Sequence, residues 1–129
     1  MPVVRHDEAQ EVPWRPGYRN FVLANKAQGV SVNAGLAILE RGAGAPLHLH
    51  EEVDEVIVVI KGTLEMRIGD ETMLVGPDHT ISIPMKTPHA FKVVSAEGAR
   101  IITFMPKQGV FMGGTIYLEG EPPLGAELK

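Results

Sequence analysis

Gly42-Ala43-Gly44-Ala45-Pro46-Leu47-His48-Leu49-His50-Glu51-Glu52-Val53-Asp54-Glu55-Val56-Ile57-Val58-Val59-Ile60-Lys61-Gly62 carries both the fold and the chemistry of this chain. Side chains on a β-strand alternate between its two faces, so His48 and His50 share a face and can grip one metal ion. The same spacing also fits two partly exposed strand histidines with no ion between them. Glu55 follows five residues after His50, which strict alternation would put on the opposite face. The acidic segment 51–54 is therefore expected to turn or bulge, so that Glu55 opens the next strand facing inward with Ile57 and Val59. Val56–Ile60 is apolar on both faces. That predicts a strand covered on both sides, by a second sheet or by another subunit.

Working outward, other short β-branched runs stand at Val30–Val32, Ile81–Ile83, Phe91–Val94, Ile101–Phe104 and Ile116–Leu118, with 14 Gly and 10 Pro spread between them. Short apolar runs separated by turn residues predict an all-β sandwich or barrel. Thr63–Ile68 alternates polar and apolar, Gly69-Asp70 makes a turn, and Glu71–Val75 returns, which predicts a hairpin. No composition shift or internal repeat divides the chain, so a single domain over 1–129 is expected, with its barrel core at 30–105. The first twenty residues, broken by Pro13 and Pro16, read as an irregular arm. The tail 119–129, with Gly120-Glu121-Pro122-Pro123, reads as loosely held.

Composition narrows the function classes. The 129 residues carry a formal net charge of −4 and no cysteine. A mildly acidic chain without a basic cluster argues against nucleic-acid and polybasic membrane partners. Without thiols, a metal site must be built from His and carboxylates. The longest apolar run, Val56–Ile60, is far too short to span a membrane, and the acidic N-terminus does not resemble a secretory signal. A cytoplasmic protein is the resulting expectation.

His89, after Pro88, shares its alternation with Phe91 and Val93, so a strand there could bring a third imidazole to the same cavity. Three His and one carboxylate suit Fe, Mn, Ni, Cu, Co or Zn without choosing among them. With four protein ligands, an octahedral ion keeps up to two positions open. Met66, Met73, Phe91, Phe104 and Met105 are expected to line the core or the cavity. His79 and His6 are expected to be exposed. Glu51, Glu52 and Asp54 are candidates to orient the histidines, but a solvated acidic loop is the expectation.

From Gly42, the order glycine, five residues, His48, one residue, His50, four residues, Glu55, six residues, Gly62 resembles the first motif of the cupin family without departure. The second motif, Gly, five residues, Pro, one residue, Gly, two residues, His, three residues, Asn, is matched at Pro84 and His89. Asp78 and Lys86 stand at its glycine positions and Val93 at its asparagine. The resemblance covers roughly residues 30–105. It implies a jelly-roll double-stranded β-helix with one divalent transition metal inside, held by His48, His50, Glu55 and His89.

Small cupins include dioxygenases, decarboxylases, isomerases, lyases and binding proteins. The resemblance therefore implies first a metal-dependent enzyme on a small oxygenated substrate, dioxygenase-like, with Glu55 able to serve as general base. The alternatives are a non-redox isomerase, lyase or decarboxylase using the ion as Lewis acid, and a small-ligand binding or sensing protein. A small-molecule substrate and a homodimer are the expected partners.

Overall fold

The protein is described here from a computed structural model covering residues 2–109 and 114–128. Eleven strands form two antiparallel sheets. The strands are β1 (Gln10–Arg15), β2 (Tyr18–Ala24), β3 (Asn33–Leu39), β4 (Gly44–His50), β5 (Glu55–Lys61), β6 (Leu64–Ile68), β7 (Glu71–Val75), β8 (His79–Ile83), β9 (His89–Val93), β10 (Ala99–Met105) and β11 (Thr115–Tyr117). One sheet has the order β1-β2-β3-β10-β5-β8, and the other β11-β4-β9-β6-β7. From β3 onward every successive pair except β6 and β7 switches sheets, as β4 and β5 do, and the two sheets face each other as a jelly-roll.

Alternation decides what each strand buries. Inward residues of both sheets, among them Leu39, Ile57, Val59, Leu64, Met66 and Ile101, form one buried cluster between the layers. Two strands approach so closely that side chains are excluded. A Cβ on Gly44 would fall onto the carbonyl of Phe91 in β9. Beside it, β4 is bulged between Ala45 and His48. The bulge accommodates Pro46, which has no N–H for the ladder, and it sets the register that places His48 opposite His89.

The hairpin β6–β7 and the inward strand begun by Glu55 match the sequence-based expectations. Four expectations are corrected. First, the arm over residues 1–20 holds strand β1 and the start of β2, with Val12, Trp14 and Tyr18 in the core. Pro13 is tolerated because β1 is the edge strand of its sheet. Second, the tail is docked. Pro123 and Ala126 are buried, and Leu124 N–H donates to Trp14 O at 3.1 Å. Third, Val30–Val32 is not a strand. Asn25 caps a short 3-10 turn over Lys26–Gln28, Val30 is exposed, and pairing begins only at Asn33. Fourth, Phe104 faces outward and is 39% exposed, because it lies opposite Val56 and Ala34 on the outer face. That face also leaves Val56 and Val58 half-buried and Ile60 exposed, so within this chain β5 is covered on one side, by the second sheet. Among the described residues, no helix is long and apolar enough to cross a membrane.

Candidate metal centre

His48 and His50 end β4, and their rings point between the sheets. His89 opens β9, directly opposite His48. Glu55 opens β5 in the other sheet. The turn that brings it there is fixed by Val53, which buries against Met105 in a satellite apolar cluster. All four side chains are buried, His89 to 1% exposure and Glu55 to 7%. One ligand atom from each lies within 4.8 Å of the others. The expected set is thus brought together in full.

The hydrogen bonds around the rings determine which atom faces the cavity. His48 Nδ1 lies 2.7 Å from Pro46 O and His89 Nδ1 2.9 Å from Thr87 O. A carbonyl only accepts, so both Nδ1 atoms carry hydrogens, and each Nε2 offers a lone pair when its ring is neutral. His50 Nδ1 sits 2.9 Å from Thr115 Oγ1, on β11 beside it. None of the acids in segment 51–54 orients a ring. Glu52 pairs with Lys107 at the surface, and Asp54 Oδ1 accepts from Met85 N–H at 2.8 Å. Asp54 therefore holds the turn before His89, a structural task that the solvated-loop reading missed.

Burial pushes His48 down to about 4, which keeps its ring neutral at pH 7. Burial alone would raise Glu55, but the His50 and His89 imidazoles beside it outweigh that and hold it well below the usual carboxylate range. Their Nε2 atoms stand 3.4 and 3.3 Å from Glu55 Oε1, and that of His89 is buried without a hydrogen-bond partner. Buried unpaired polar atoms are costly. The His89 Nε2 atom, converging with two further imidazoles and a carboxylate within 4.8 Å, completes a donor set of three nitrogens and one oxygen that a divalent transition metal fits. His79 and His6 lie outside this set, both exposed.

Spacing gave no warning of the residues that line the cavity beside the four. Trp14, Arg15, Tyr18, Asn20, Thr103 and Tyr117 all do so. Tyr18, Asn20 and Val22 are successive inward positions of β2, a period-2 signal that a strand assignment there would have exposed. Tyr117 stacks on His48 with ring centroids 5.0 Å apart and planes at 19°. The Arg15 guanidinium lies 5.3 Å from the Tyr117 centroid.

Comparison with known proteins agrees with this geometry. The chain is 34% identical over 68 residues to the polyketide synthase CurC of Streptomyces cyaneus, covering 53% of this chain and 44% of that protein. It is 32% identical over 71 residues to quercetin 2,3-dioxygenase of Bacillus subtilis (strain 168), covering 54% of this chain and 20% of that protein. The chain thus spans less than half the length of these curated relatives. Among solved structures, it is similar to the polyketide cyclase RemF from Streptomyces resistomycificus. The TM-score is 0.75 at 21% identity, covering 95% of this chain and 89% of that one. The cupin domain model matches residues 35–105, more than half the chain and the whole four-residue set, and the chain belongs to the cupin family.

Proposed function

We propose that this protein is a metal-dependent enzyme acting on a small oxygenated organic substrate, with dioxygenase-like chemistry of the kind named in quercetin 2,3-dioxygenase. One observation carries the metal reading: three buried imidazoles and the Glu55 carboxylate converge with their ligand atoms within 4.8 Å of one another, and the Nε2 of His89 has no hydrogen-bond partner. His48, His50, Glu55 and His89 would hold the ion. When bound, a transition metal would supply Lewis acidity and, where redox-active, a route for electrons to dioxygen. The chain's own residues do the rest. The Nδ1–H bonds to Pro46 O and Thr87 O lock the rings of His48 and His89. The aromatic walls of Trp14, Tyr18 and Phe91 limit water. Glu55, held ionised, takes the proton of an enol or an activated C–H at a carboxylate oxygen. Protein purified without chelator should contain close to one transition metal per chain. Oxygen uptake with a flavonol and 1,3-diketone panel should depend on added Fe, Mn, Ni, Co or Cu and vanish in Glu55→Ala. Metal-loaded protein that consumes no oxygen across the panel would overturn the dioxygenase reading.

The likeness to RemF over nearly the full chain favours a second, non-redox reading, in which the ion polarises a carbonyl during cyclisation, isomerisation or decarboxylation. Turnover that persists with Zn and without oxygen would select it. We further propose a homodimer through the outer face of β5 and β10, where Val56, Val58, Ile60 and Phe104 form an apolar strip. A monomeric mass by light scattering at micromolar concentration would sink that proposal.

A further inference from the structure

The cavity has two walls of different chemistry. Three imidazoles enter from β4 and β9, and the wall opposite belongs to the first two strands. Among the described lining residues, that wall carries one cation, Arg15 at the end of β1. Its guanidinium lies 5.3 Å from the centroid of the Tyr117 ring, which in turn stacks on His48. Arg15 is thus one aromatic ring away from the ligand set. Its Nη2 donates to the Glu121 carbonyl at 2.6 Å, which fixes its position without neutralising it. No carboxylate among the described residues pairs with it, whereas Arg5 and Arg19 both have acidic partners.

Asn20, on β2, is only 5% exposed and lines the same cavity. Its side-chain amide hydrogen-bonds to none of the described groups. The amide is not sealed off in the core but lines the cavity, where a ligand can reach it. An apolar residue would serve packing better at this position, which follows Tyr18 and precedes Val22 on the inward face of β2. A guanidinium with no carboxylate partner and an amide that faces the cavity, both among its lining residues, leave hydrogen-bonding capacity for a ligand. An anion with a second oxygen function would use it. Charge points the same way. Glu55 and Arg15 cancel, so a divalent ion leaves the cavity with two positive charges inside a chain of net charge −4. An anionic substrate relieves that excess.

We propose that Arg15 and Asn20 form the substrate-recognition subsite of this cavity, and that the substrate is a small organic acid. Its carboxylate pairs with the Arg15 fork, and a keto, enol or hydroxyl oxygen meets the Asn20 amide. The flat fork is matched to a carboxylate, and the pairing is charge-assisted. This inference rests on the reading of the cavity as the metal and substrate site, but Arg15 and Asn20 are not among the metal-binding residues.

Trp14 is the single tryptophan and lines the cavity, so its fluorescence reports occupancy directly. The test is a titration of the Zn-loaded protein and of the same protein after chelator treatment, with two probes of one shape: acetoacetate, which carries the carboxylate, and its neutral amide, acetoacetamide. The expected result is at least about tenfold tighter binding of acetoacetate. Arg15→Gln removes that preference while leaving the Zn content and the Kd for acetoacetamide unchanged. Asn20→Ala weakens both probes by a similar factor of roughly 5 to 10. Arg15→Lys keeps the charge but not the fork, and restores only part of the preference, so it tests the idea even if Arg15→Gln misfolds. Equal binding of the two probes, an unchanged preference in Arg15→Gln or Arg15→Lys, or no binding of either probe would overturn the proposal. Failure to take up Zn with the acetoacetate preference intact would overturn the metal reading and leave the subsite standing.

Discussion

The two arms that deliver histidines to the centre reach the same geometry by different means. The first arm, β4 to β5, is bounded by glycines. Gly62 closes it at φ +86, and a Cβ there would run into the Gly98 carbonyl and Ala99. The second arm, β8 to β9, has no glycine at the matching turns, yet it keeps the left-handed backbone. Asp78 sits at φ 64 and Lys86 at φ 66, the two positive-φ non-glycine residues among those described. A side chain in that region costs roughly 1–2 kcal/mol. The second arm offsets this with hydrogen bonds. Lys86 N–H donates to His50 O at 2.7 Å, Asp78 N–H to Val59 O at 3.0 Å, and Asp54 Oδ1 accepts from Met85 N–H. The lesson is that a motif glycine can be a steric requirement or merely a backbone preference. Only the neighbouring atoms tell the two apart.

Five measurements would break or sharpen this contrast. Gly62→Ala, in the crowded first arm, should destabilise by about 3–5 kcal/mol in urea unfolding, since overpacking and left-handed strain add. A loss under 1 kcal/mol would show that the arm has slack. Removing a ligand should not distinguish the arms. His50→Ala and His89→Ala should each weaken Zn binding by on the order of 100-fold or more, because outer partners alone are worth 10–100-fold. A much milder effect for His89 would demote the second arm.

Acid probes both arms at once in the metal-free protein. His48 has its folded value depressed to about 4 from 6.5, so the unfolded chain binds the proton first as pH falls. Stability is complete above about pH 6.5 and should drop by up to about 3 kcal/mol on the way to pH 4. Glu55, also depressed, adds loss in the same direction below its ordinary value of 4.5. Urea midpoints that stay flat between pH 7 and 4.5 would contradict the burial argument. Asp54→Ala should cost about 1 kcal/mol and lower Zn affinity a few-fold, acting through the turn before His89. An unchanged melting temperature would mean that Lys86 N–H alone holds the turn. Last, Lys86→Gly should stabilise by roughly 0.5 kcal/mol, the left-handed cost less the extra freedom glycine gains when unfolded. Destabilisation would show that the lysine side chain contributes something beyond its backbone.

How much of this was legible in the sequence follows from the range of each interaction. Alternation is local, so His48, His50, the turn at 51–54 and the inward Glu55 could be read directly. Strands built on β-branched runs, such as β5, β8 and β10, were legible for the same reason. β3 was misplaced because its paired residues, Asn33, Ala34, Gly35 and Ala37, have little strand propensity. They are strand residues because β2 and β10 flank them. β1 was hidden by Pro13, whose tolerance depends on its being an edge, which only topology reveals. The docked tail depends on contacts with Trp14 more than a hundred residues away. The ring-orienting acceptors Pro46 O and Thr87 O are backbone atoms that any residue would supply. No residue type could have announced them.

Three of the four metal-binding candidates stand on one sheet, and the fourth, Glu55, hangs from the other. An ion held among them is a crosslink between the two layers of the jelly-roll. Its escape then requires the layers to part or Glu55 to swing away, and both need the closed core around Ile57 and Met66 to loosen. The rate at which a competing chelator strips the ion is therefore a clock for the breathing of the whole sandwich, with its tick set by packing far from any ligand atom.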